Sequence, residues 1–110
     1  IEHIRKMPQK QKENIVLPKS TPAERERKRQ MIGILIKEKR EALEITIDNF
    51  AYEAGVSRSN LIRVENGQNP SIETLLIILH SLSITEADFF TLVQERLAAQ
   101  KASEKKVKSQ

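Results

Sequence analysis

A chain of 110 residues, 38% hydrophobic and 4% aromatic, has material for one compact helical domain with tails and little for a large enzyme cleft. It has no cysteine, which excludes disulfides and thiolate metal sites and fits a reducing compartment, and no apolar run approaches the ~20 residues of a membrane span. The formal net charge of +4 sits at the ends: residues 1–20 hold five cations against two acids, residues 101–110 four against one, and residues 21–100 ten against twelve.

Pro8 and Pro18 interrupt residues 1–20, which read as a basic flexible N-terminal arm. Whether solvated or docked, such an arm raises affinity for a polyanion without reading sequence. Ile15–Leu17 is a short apolar patch that either docks on a surface or stays loose. A domain follows over residues 21–100. Its first helix is expected at about 22–43, with Thr21 as cap, Pro22 in the first turn and Glu24 at the capping-box position. Ile32, Ile36 and Arg40 fall four apart, followed by Leu43, and give one inward stripe. Met31, Ile34 and Leu35 lie partly off it, more apolar surface than one buried side requires. A helix at 47–54 follows the cap Thr46 and ends before Gly55, which suits a left-handed conformation. The next, at 57–66, is capped by Ser57 and closed by Asn66-Gly67. Ser71 caps a helix at 71–82. Thr85 caps a last one at 86–100, with Glu86 and Asp88 where the helix dipole favours acids. Residues 101–110 read as a frayed basic tail. No strand pattern occurs, so the fold class is all-α with five helices.

The joint at Gly55 carries the most information. Two helices joined by so few residues must cross steeply. Gly55 permits positive φ, and the small Ala51 lets the next helix approach. Phe50, Ala51, Gly55, Val56, Leu61 and Val64 are expected to form the core of this unit. Leu61 and Val64 are three apart, so their inward direction turns Arg58, Ser59, Ile62 and Arg63 outward.

The stretch "IGILIKEKR…ITIDNFAYEAGVSRSNLIRVENGQNPSIETL…LSITEADFF" resembles the Cro/repressor-type (XRE-like, lambda-repressor-like) helix-turn-helix family over Ile32–Phe90. The spacing of "AGVS", "ENG" and "NPSIETL" is what makes the likeness specific. The resemblance implies a five-helix lambda-repressor-like DNA-binding domain, here with extended first and fifth helices. It implies a double-stranded DNA partner read in the major groove by the third helix, and a homodimer on a two-fold site. Carried over by position, Arg58, Ser59 and Arg63 are base contacts. An arginine there can donate two hydrogen bonds to guanine O6 and N7. Ile62 either touches a thymine methyl or covers the core edge, and Asn60 either reaches a base or faces the flank. Thr46, Ser57, Asn66 and Gln68 are phosphate contacts, helped by the free amides of helix starts. Arg40 and Glu65 match an internal salt bridge, against the reading of two exposed charges. Three positions depart from the family pattern: Ile47 stands for a common glutamine, Glu44 for a glycine and Lys39 for a leucine. The first removes a polar contact to the backbone of DNA.

Other signals point elsewhere or nowhere. His3 and His80 lack partners at metal-ligand spacing, so no metal and no cofactor is expected. "RERKR" at Arg25–Arg29 alternates with Glu24 and Glu26 as a solvated face, the alternative being a DNA contact. Asp48, Glu53 and Glu73 form no catalytic constellation, so an enzyme is not expected. Ile77 falls on an outward position of the fourth helix. With the long first and fifth helices it implies a further buried surface, either within one chain or between two, the latter being preferred. The expected function is a sequence-specific transcriptional regulator, a repressor, cytoplasmic and of bacterial or phage type, with no small-molecule ligand. The alternative is a protein-interaction module of the same fold, an antitoxin or bridging factor, holding a protein partner through its tails.

Overall fold

The computed structural model describes residues 14–108, with side chains to residue 104. Expectations for residues 1–13 and 109–110 therefore lie outside the described residues. Five helices follow in order: α1 Pro22–Ala42, α2 Ile47–Ala54, α3 Arg58–Glu65, α4 Ile72–Ser81 and α5 Glu86–Lys108. No strand occurs among the described residues.

Each helix starts where a hydroxyl can satisfy an otherwise orphan amide. Thr21, Thr46, Ser57, Ser71 and Thr85 accept from the amides of Glu24, Asn49, Asn60, Thr74 and Asp88 at 3.1–3.2 Å. The capping box at Thr21 takes another form: the Glu24 carboxylate accepts from the Thr21 hydroxyl at 3.0 Å. Gly55 closes α2 at φ +80, and its amide donates to Ala51 O at 3.0 Å. Gly55 is itself exposed, so its part is conformational and it is not a core residue; Val56 is half-buried.

The core joins Met31, Leu35 and Ile36 of α1, Phe50 and Ala51 of α2, Leu61 and Val64 of α3, Ile78 and Leu79 of α4, and Phe89 and Val93 of α5. The inward side of α1 is broader than a single stripe, because α1 packs on α3 and on α5 at once. Met31 and Leu35 are therefore buried, Ile32 is half-buried, and Leu43 lies 59% exposed. Leu43 is exposed because α1 ends at Ala42 and the chain then turns through Glu44 at φ +57. That left-handed conformation costs a residue with a Cβ ~1–2 kcal/mol, and it falls where the family pattern has glycine.

α5 continues beyond the expected end at Gln100 to Lys108. Residues 98–108 contain no glycine or proline and are rich in alanine and lysine, both good helix formers, so nothing local stops the helix. α5 packs on α1 within the same chain. Arg96 fastens the two helices by donating from Nη1 and Nη2 to both carboxylate oxygens of Glu38, at 3.1 and 2.9 Å. The long helices thus cover each other within one chain. Ile77 is half-buried, while Ile72 and Leu76 on α4 and Phe90 on α5 remain exposed. α4 and α5 meet at a bend of 98°, and no single helix among the described residues is long and apolar enough to cross a membrane.

Candidate nucleic-acid interface

α3 is positioned by three contacts. Leu61 and Val64 enter the core, both almost fully buried. Gly33 lets α1 approach so closely that a Cβ there would lie 2.5 Å from Val64 O and 2.6 Å from Glu65 O. Finally, Arg40 on α1 reaches Glu65 at the end of α3. Its Nε donates to Glu65 Oε2 at 2.7 Å and its Nη2 to Oε1 at 3.0 Å, while Nη1 donates to Ile45 O at 2.8 Å. Both side chains are buried, and among the described residues no buried side-chain polar atom lacks a partner. The bidentate bond to Glu65 raises the Arg40 pKa above its already high ordinary value, so the cation persists at every working pH.

With α3 held this way, its outward face carries Arg58, Ser59 and Arg63, all exposed. The Arg63 side chain donates to nothing among the described residues, and Ser59 Oγ lies 3.5 Å from Ser57 Oγ. Asn60 is half-buried and, with Arg63, borders a small cleft with Asn69, Pro70 and Thr74 at the start of α4. It therefore faces the flank of α3. Ile62 is half-buried and lines a groove of about 400 Å³ with Ile34 of α1, Ile47 of α2 and Asn66. Ile62 thus extends the apolar edge of the core toward the helix face.

Thr46 and Asn66 lie at the ends of α2 and α3, and Gln68 follows in the loop, exposed. The Ser57 hydroxyl is occupied as a cap, which leaves the amides of Arg58 and Ser59 as the open donors there. Ile47 puts an apolar side chain into the groove where a glutamine would offer an amide. His80 is exposed, and no group of residues suited to a metal occurs among the described residues.

One contact escapes sequence reasoning. Arg58 Nε donates to Asp48 Oδ1 on α2, across the joint at Gly55, in an exposed ion pair. The two residues are ten apart and on different helices. Only the crossing of α2 and α3 brings them together, so no local periodicity signals the pair.

A helix-turn-helix family model matches residues 36–89. Among solved structures, the wild-type restriction-modification controller protein C.Esp1396I is similar with a TM-score of 0.59 and 22% identity, over 66% of this chain and 95% of that one. The C.Esp1396I tetramer in complex with its natural 35 base-pair operator is similar with a TM-score of 0.56 and 23% identity, over 62% of this chain and 91% of that one. At such identity the likeness is one of fold. No curated protein matches the sequence.

Proposed function

The chain belongs to the Cro/repressor-type helix-turn-helix family, and from that premise we propose that it is a sequence-specific regulator of transcription that binds double-stranded DNA. One observation carries the reading: α3 stands on a buried anchor and turns Arg58, Ser59 and Arg63 outward, exposed to solvent. Arg58 and Arg63 read guanine in the major groove, and Ser59 supplies a shorter hydrogen bond beside them. Asn60 and Ile62 flank these contacts. Thr46, Ser57, Asn66 and Gln68 hold the phosphates through amides and side chains at the helix ends.

The regulator acts as a homodimer and as a repressor, occupying a two-fold site. The exposed Ile72, Leu76 and Phe90 support pairing of two copies through α4 and α5. The operator-bound tetramer of C.Esp1396I supports both oligomerisation and duplex binding.

Selection from random duplexes at moderate salt tests this. A common site containing guanine in each half is expected, and Arg63→Ala should relax preference at one or two positions, a discrimination of ~1–3 kcal/mol. Recovery of no common site would sink the reading. Solution mass with and without the selected duplex then gives the number of subunits. The second reading, a protein-interaction module, is favoured by Val16 and Leu17, which are 91% and 56% exposed in the segment before α1. A partner that co-purifies with the full chain, and is lost on replacing Val16 and Leu17 by serine, would support it.

A further inference from the structure

The Asp48–Arg58 pair lies on the face that the proposed function assigns to DNA, and its role as inferred below rests on that reading. A carboxylate on such a face is at first sight a handicap, because it repels phosphate. We propose that Asp48 is a positioning residue for base recognition: it holds Arg58 so that its terminal nitrogens meet a base edge, and so converts a general cation into a sequence reader.

Asp48 is the second residue of α2 and Arg58 the first of α3, brought together by the turn through Gly55. The Arg58 side chain is 65% exposed and that of Asp48 70%, so the pair sits in water at the rim of the interface. The bond uses Nε alone. A guanidinium has five N–H groups, one on Nε and four on the two Nη nitrogens. Among the described residues the Arg58 Nη nitrogens donate to nothing, so the edge that matches guanine O6 and N7 stays available.

An arginine without this tether would sweep a wide volume, at about 2 kcal/mol of rotamer entropy, and could satisfy itself on any nearby phosphate. Phosphate contacts position a protein but carry no sequence information. The Asp48 carboxylate narrows that choice in two ways: it fixes Nε and it disfavours a phosphate on the Arg58 guanidinium itself. The pair therefore raises selectivity at the position Arg58 reads and lowers affinity for all duplexes.

Asp48→Asn, assayed in the full chain by selection and by titration of matched and single-mismatch duplexes, tests the inference. Preference for guanine at one position in each half-site should fall on the order of tenfold, with the other positions unchanged. Binding to a random duplex should tighten, and Tm should stay the same. In a double-mutant cycle with Arg58→Ala, the asparagine should have no further effect on base preference, because there is no guanidinium left to aim. A merely structural role would shift Tm without singling out one base position, and that result overturns the inference. Should Asp48→Asn strengthen every duplex alike with all preferences intact, Asp48 is a simple repulsive charge and the inference is overturned while the DNA-binding reading survives. Should the unaltered chain select no site, both fall together.

Discussion

At the scale of single residues, Arg40 and Glu65 show how a charge far from solvent serves a surface helix. Arg40 spends Nε and Nη2 on Glu65 and Nη1 on Ile45 O, so one guanidinium fixes the end of α3 and the α1–α2 loop together. Burying the two ions has a desolvation penalty that their attraction roughly offsets, whereas removing one strands the other. Glu65→Ala or Arg40→Ala should therefore destabilise the fold by ~3–5 kcal/mol in urea unfolding, far more than loss of an exposed pair. A loss below about 1 kcal/mol, the range of exposed pairs, would show the pair to be solvated. The likeness to the family, read from the sequence, pointed to these two positions. Arg58 and Asp48 form the contrast: the arginine was readable as an outward residue, yet its acidic neighbour was not, since a left-handed glycine and a change of helix separate them.

At the scale of elements, the hydroxyl caps made helix starts legible to within a residue, because a cap is a local hydrogen bond. Ends were harder where no breaker exists, as in α5, which runs on through alanine, lysine and glutamate. The closeness of α1 to α3 was not legible, because a glycine within a helix does not say which backbone comes near. Gly33→Ala puts a methyl group against Val64 O and Glu65 O. Alanine would gain ~1 kcal/mol in helix propensity, but the backbone clash should outweigh it and leave a net loss of about 1–3 kcal/mol in unfolding experiments. A more stable variant would mean that α1 and α3 lie further apart. Between α1 and α5, the Glu38 carboxyl is held below its ordinary pKa, chiefly by hydrogen bonds from Arg96. A depressed carboxylate contributes stability above its unfolded value near 4.5 and loses it as pH falls through the lower folded value. Arg96→Ala should thus lower Tm slightly at neutral pH, with the difference shrinking as the pH is taken below 4.5. A constant difference down to strong acid would assign the loss to packing by the arginine stem.

At the scale of the whole molecule, the radius of gyration is 18.0 Å, with principal extents of 56 × 42 × 22 Å. A compact domain of this length would have about 13 Å; the two long helices draw the shape out. The four lysines of residues 101–110 all fall within the last turns of α5, past Leu97, where α5 last packs against the core. Removing residues 105–110 takes away three lysines and none of the core side chains among the described residues. Binding to all duplexes should weaken alike, and the slope of log K against log salt should flatten by about 1 for each phosphate that the lysines had neutralised. A change confined to one sequence would instead assign that segment to base reading.

The order of caps, breakers and apolar periods determined, by itself, five helices, the sharp joint at Gly55 and an outward cationic face on the third helix. These are short-range consequences of hydrogen bonding and burial, and neighbouring residues carry them. Tertiary structure decided the rest: which side of α1 is buried, that α1 and α5 cover each other within one chain, and that Asp48 meets Arg58. Each of those depends on the distance between segments on different helices, which is set only when all the apolar faces are packed at once.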